Sequence, residues 1–251
     1  MEPLVPFILL VILIAGFVHG YGGFGFGILS MSVFSLLPVD IERMSVVITL
    51  NVLVIPPLVF VLSRSRGHVR WADIGLLFLG AMCGQPVGYW FIATFGDRAI
   101  FRVVLGAVLL VAAANGFRSS FRPRRFPLWS APLFGTVSGF LAGAFVSGGP
   151  PVVLFLYSRT RDPRDMKATI QALFVMMTIF RMSIIGVAGR GYTQDVLLLS
   201  AISIPLVIPF VALGHRFSDR GNVLAFRRGV YCLIGAFGVM GLTKGALLCL
   251  P

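Results

Sequence analysis

The sequence predicts an all-α, polytopic membrane protein made of two inverted-topology repeats, each a broken-helix hairpin plus three transmembrane helices. Three observations carry this. Of the 251 residues, 57% are hydrophobic and 12% charged. Soluble chains carry roughly 25% charged residues, and half that load cannot cover a water-facing surface. Eight apolar segments recur along the chain, two of them overlong and interrupted by helix breakers. The basic residues fall almost wholly in the short stretches between these segments, with a bias that selects one topology.

The first segment spans 4–37 and opens as MEPLVPFILLVILIAGF. It resembles a signal peptide, but it has Glu2 in place of a basic start and no convincing cleavage site. It is read as a retained first membrane segment. As one helix it would be a rod of about 50 Å against a hydrocarbon core of about 30 Å. The glycine-rich run at 20–27 breaks it, so two helices joined by a non-helical stretch are expected. Such backbone survives at membrane depth only where it is buried in protein or lines a wet cavity. Segments 44–62, 74–94 and 99–117 follow, each about one crossing long. Segment 128–157 is overlong again, and Ser147-Gly148-Gly149-Pro150-Pro151 interrupts it. Segments 170–188, 196–213 and 229–248 complete the second half.

The charges test the hairpin reading. With eight single crossings the two sides would hold nine and eleven Lys and Arg, which gives no orientation. If 4–37 and 128–157 each return to their starting side, the sides hold five and fifteen. The hairpin topology therefore obeys the positive-inside rule and places both termini outside the cytoplasm. It divides the chain into a first transmembrane repeat at 1–117, a basic cytoplasmic linker at 118–127 and a second repeat at 128–251. Two local matches support the repeat. Gly16-Phe-Val-His-Gly20 parallels Gly135-Thr-Val-Ser-Gly139, and Asp97-Arg98…Phe101-Arg102 parallels Asp219-Arg220…Phe226-Arg227. Because each half has a hairpin and three crossings, the second starts from the opposite side, a common transporter design.

Composition and motifs also exclude. The net charge of +12 follows the loop arginines rather than a basic stripe with stacking aromatics, so no nucleic-acid partner is expected. Cys83, Cys232 and Cys249 lie in apolar runs without CxxC spacing, and they read as packing residues. No HExxH, metal-spaced Cys/His cluster or P-loop is present, so no enzyme, metal or cofactor is expected.

Gly16-x-x-x-Gly20-x-x-Gly23-x-Gly25-x-Gly27 in the first half is followed by Gly135-x-x-x-Gly139…Gly148-Gly149-Pro150-Pro151 in the second. Phe101-Arg102…Gly106 and Phe226-Arg227-Arg228-Gly229 accompany them. This doubled pattern resembles the TauE/SafE family of sulfite exporters and related anion permeases over nearly the whole chain. Phe24 and Phe26 interrupt the first glycine cluster, and Met31 stands near where the family places a proline. The resemblance implies a secondary transporter in the bacterial inner membrane that moves sulfite or a small sulfur-containing or organic anion. A small anion, membrane lipid and a second copy of the chain in a homodimer are the candidate partners.

The residues themselves lead to an anion as well. A helix that restarts after a break offers free N–H groups and a positive dipole end. Gly23, Gly25, Gly148 and Gly149 allow close backbone approach, Pro150 suits a first helical turn, and Ser147 adds a hydroxyl. Gly16, Gly20, Gly135 and Gly139 are read as helix-packing positions. Arg181 lies within a span, where a cation either attracts the anion or pairs with helix-end carbonyls. Asn51 and Gln171 either donate to oxyanion oxygens or bridge helices. His19 adjoins the first break, and Gln85-Pro86 either kinks its helix or meets substrate. The carboxylates all fall at or beyond predicted helix ends, which favours uncoupled export over an importer coupled to protons or sodium. A membrane scaffold without transport is the remaining alternative.

Overall fold

The computed structural model describes residues 4–62, 66–117, 126–159, 162–189, 191–218 and 223–249. Among them there is no strand, and ten α-helices account for the fold. They are α1 (Val5–Gly22), α2 (Phe26–Phe34), α3 (Ile41–Leu62), α4 (Trp71–Phe95) and α5 (Ala99–Phe117), then α6 (Ala131–Phe145), α7 (Gly149–Arg159), α8 (Pro163–Ala188), α9 (Gln194–Ser218) and α10 (Val223–Cys249). Most of the linker (118–125), Asp219-Arg220 of the second motif, and Arg64, Arg161 and Arg190 of the charge tally lie outside the described residues.

Among the described residues six stretches are long and apolar enough to cross a membrane: Val5–Gly22, Ile41–Val61, Trp71–Phe95, Leu128–Phe145, Arg164–Ala188 and Gln194–Ser218. Both overlong segments are broken where the glycines predicted. The limbs are unequal, however: α1 has 18 residues against 9 in α2, and α6 has 15 against 11 in α7. Each hairpin therefore pairs a near-full crossing with a short return, since a helix of ten residues rises only about 15 Å.

Local chemistry explains the breaks. Gly23 (φ 78°) closes α1 in the left-handed conformation, its N–H donating to the His19 carbonyl at 2.7 Å. Gly25 (φ 108°) precedes α2. In the second hairpin the left-handed position falls on Val146 (φ 50°), a β-branched residue for which this backbone is strained. The Ser147 N–H reaches the Leu141 carbonyl at 3.2 Å, and Ser138 Oγ donates to the Gly148 carbonyl at 2.5 Å. Gly149-Pro150-Pro151 then opens α7, a first turn in which the missing proline N–H groups cost nothing.

The helices pair across the halves. The largest contacts are α4 on α6, α5 on α10 and α1 on α9, followed by α3 on α9 and on α8, and α4 on α8. Exchanging α1–α5 for α6–α10 in order turns α1·α9 into α6·α4 and α3·α9 into α8·α4, while α5·α10 and α3·α8 map onto themselves. Small residues set the spacing. A Cβ on Gly135 or Gly139 would strike the carbonyls of Leu77 or Ala81 on α4, and one on Gly20 would strike that of Val211 on α9. These glycines are packing positions.

Polar contacts identify the two ends of the bundle. At one end the Phe126 N–H donates to Ser158 Oγ (3.3 Å), so the second hairpin begins and ends together. There Asp73, 1% exposed at the start of α4, pairs with Arg70 (2.6 Å) and Arg159 (3.3 Å). The Arg70 N–H reaches Thr169 Oγ1 (3.1 Å), and Lys167 lies 3.1 Å from His215. At the other end Arg102 and Lys244 donate to the carbonyls of Ser35 and Leu36, closing α2 with cations at its negative dipole end.

Candidate functional site

The two breaks meet. Gly27, in the first turn of α2, packs against the Val146 carbonyl so closely that a Cβ would collide with it. A Cβ on Gly149 would come within 3.7 Å of Phe24. Between the breaks lies a cavity of about 50 Å³. That is several times the roughly 10–15 Å³ that admits one water, and it is room for a small oxyanion group.

Six of the ten residues expected at the site line this cavity: His19, Gly25, Ser147, Gly148, Gly149 and Arg181. The first-turn N–H groups of α2, and in α7 that of Gly149 alone because Pro150 and Pro151 carry none, are the helix N-terminal donors expected there. Gly23 and Gln171 form a layer behind the wall: Gln171 Nε2 donates to the Gly23 carbonyl (2.6 Å) and its Oε1 faces His19 Nε2 (3.4 Å). Pro150, next to Gly149 at the start of α7, is not part of the lining. Asn51 lies elsewhere, donating to the Val47 carbonyl (2.9 Å) and to Ser203 Oγ (2.8 Å). It bridges α3 to α9, the second of the two roles open to it.

Arg181 pairs with helix-end carbonyls, one of the two roles open to it, and it also lines the cavity. It is 1% exposed. Nη1 donates to the carbonyls of Ala142 (2.8 Å) and Gly143 in the last turn of α6, Nε to Thr49 Oγ1 (2.9 Å), and Nη2 to Ser45 Oγ (3.1 Å). The Tyr89 ring stands 5.7 Å from its Cζ. These partners are neutral, and among the described residues no carboxylate pairs with it. A buried guanidinium with no direct carboxylate partner among the described residues, on the wall of a cavity, favours an anion beside it.

The rest of the lining was not legible in the sequence. Phe24, Phe26, Ile28, Val52, Phe174 and Met177 form an apolar wall, and apolar residues in membrane helices carry no distinguishing signal. Only Phe24 and Phe26 stood out, as interruptions of the glycine run. Gln85, weighed against a helix kink, lines the cavity, as does Thr178. At the basic end, that of Arg70, Arg159 and Lys167, the side chains of His68, Asp162 and Asp165 cluster within 4.8 Å. Structure accounts for them: Asp162 caps α8 and Asp165 pairs with His68 at 2.8 Å.

The family model for Sulfite exporter TauE/SafE matches residues 8–241. Among curated proteins, the chain is 25% identical over 238 residues to the probable sulfite/organosulfonate exporter TauE of Cupriavidus necator, covering 91% of this chain and 87% of that protein. It is 26% identical over 177 residues to the probable inner membrane transporter protein TsaS of Comamonas testosteroni, covering 68% of this chain and 72% of that protein. No solved structure matches the chain.

Proposed function

The chain belongs to the sulfite exporter TauE/SafE family, and from that premise we propose that it exports sulfite, or a related small sulfur-containing or organic anion, across a bacterial inner membrane. The observation that carries this reading is Arg181, a buried cation without a carboxylate partner on the wall of a cavity that two helix restarts also line. The guanidinium attracts the anion, the first-turn N–H groups of α2 and that of Gly149 coordinate its oxygens, and the aromatic wall covers any apolar part of it. The names of the two relatives, an exporter of sulfite and organosulfonates and an inner membrane transporter, agree with this substrate class and location.

The two halves act as inverted repeats, with both termini outside the cytoplasm and the basic end inside. Transport shifts the cavity's exposure from one face to the other. The described carboxylates Asp40, Glu42, Asp73, Asp97, Asp162, Asp165 and Asp195 all sit in loops, at a cap or in first helical turns. Efflux draws on the membrane potential, since each negative charge moving outward gains about 2.3 kcal/mol per 100 mV.

A thermal-shift screen of the purified protein against sulfite, sulfate, thiosulfate and short sulfonates tests the site, and at least one of these raises the melting temperature. In liposomes with a clamped potential, sulfite leaves faster as the interior is made more negative. A protein stabilised by none of them would be a scaffold. A strict need for a sodium gradient would make it a coupled importer.

A further inference from the structure

Among the described residues His19 is the one titratable group on the cavity wall besides Arg181, and its surroundings fix its tautomer. Gln171 donates through Nε2 to the Gly23 carbonyl, so its Oε1 is left as the acceptor facing His19 Nε2. The neutral ring therefore carries its hydrogen on Nε2 and a bare lone pair on Nδ1. Nδ1 has no hydrogen-bond partner, although the residue is only 2% exposed. A second acceptor in the same lining, Gln85 Oε1, is also buried without a partner, because Gln85 Nε2 donates to the Met177 carbonyl at 2.9 Å. Buried acceptors left bare are rare and need an explanation.

Two bare acceptors are a poor match for the oxygens of an anion. Only one of them can change character. Gln85 stays an amide, whereas a proton on His19 Nδ1 turns a lone pair into an N–H donor and adds a positive charge. We infer that His19 takes up one proton at Nδ1 as the anion enters, so that the cavity binds an oxyanion and a proton together. This rests on the cavity being the anion site. The proton comes from solution, is held at Nδ1 against an anion oxygen, and leaves with the anion, so a doubly charged anion still carries one net negative charge outward and its efflux still draws on the potential; Nε2–H···Oε1 of Gln171 is kept throughout.

The charges around His19 give the coupling its sign. From α8 come Arg181 on the cavity wall and Lys167 one turn before Gln171, and from α9 comes His215, 3.1 Å from Lys167 Nζ. The break at 23–25 and α2 carry no titratable side chain, and α3 carries none after its first turn. An imidazolium in this setting is buried among cations while the cavity is empty. The entering anion supplies the missing counter-charge, and by reciprocity the proton tightens the anion.

The test uses ethanesulfonate, a fully ionised sulfonate that cannot itself bring the proton, with the purified full-length protein. Titration calorimetry in two buffers of different protonation heat reads one proton taken up per anion bound. Affinity tightens by up to about tenfold per unit fall in pH wherever one proton is taken up per anion. His19→Gln, which keeps a side-chain amide toward Gln171, binds with no proton uptake and with affinity independent of pH. Wild-type protein that binds ethanesulfonate without proton uptake overturns the inference and leaves the anion site standing; so does uptake that survives in His19→Gln. If that variant does not fold, the two-buffer comparison on the wild type decides alone. Failure of both ethanesulfonate and sulfite to bind at every pH overturns the anion site and the inference together.

Discussion

At the scale of single residues, polar groups inside the spans divide by the company they keep. Arg181 and Asn51 are both fully buried and both held by several hydrogen bonds. One is charged and lines the cavity; the other is neutral and ties α3 to α9. Their substitutions should therefore separate. Arg181→Lys keeps a charge but cannot reproduce the guanidinium fork across α6 and α3, so anion affinity falls by about 10- to 100-fold with some loss of melting temperature. Asn51→Ala leaves anion affinity unchanged and costs about 1–2 kcal/mol of stability, since it only removes an interhelical bond. Ligand titration and thermal melts on the same samples distinguish the two; a loss of affinity in Asn51→Ala would return that residue to the site. The sequence marked both as costly polar residues at depth. It did not say which way each faces, because helical spacing assigns a residue to a face but not to a neighbour.

At the scale of elements, the breaks are where sequence reading succeeded most. Glycine runs with an adjacent Pro-Pro punctuate apolar segments too long for one crossing, and local backbone chemistry alone forces an interruption there. What the runs did not disclose is the unequal length of the limbs, or that Val146 rather than a glycine takes the left-handed position in the second break. Contact between the breaks depends on Gly27, whose missing Cβ makes room for the Val146 carbonyl. Gly27→Ala should therefore push the breaks apart, abolish anion-induced stabilisation and lower the melting temperature. Gly22→Ala, two residues inside the same motif region and with nothing within 4 Å of the added carbon, should leave both unchanged. Measured side by side in the ligand thermal-shift assay, equal behaviour of the two variants would show that the contact between breaks does not shape the site.

At the scale of the whole molecule, the tertiary contacts agree with the charge bias for the second hairpin. The tally of basic residues asked for two hairpins that return to their starting side. In the fold, the start and end of the second hairpin meet through Phe126 and Ser158, and the ends of the loops richest in arginine gather beside them at Asp73, Arg159, Thr169 and Lys167. With that end in the cytoplasm, a C-terminal fusion of alkaline phosphatase should be active in cells and a C-terminal green fluorescent protein fusion dark. The reverse pattern would invert the assignment of sides and with it the direction in which the potential drives the anion.

The sequence by itself determined the lipid environment, the number and rough limits of the helices and the position of the breaks, because hydropathy, chain length against bilayer thickness and glycine backbone freedom are all local properties. Only the tertiary structure decided that the two breaks enclose one cavity, that Arg181 lines it with no carboxylate paired to it among the described residues while Asn51 does not line it, and that His19 on its wall keeps an acceptor without a partner. Those facts depend on contacts between helices far apart in the chain. In a membrane, where nearly every surface is apolar, no pattern along the sequence marks which apolar faces will meet.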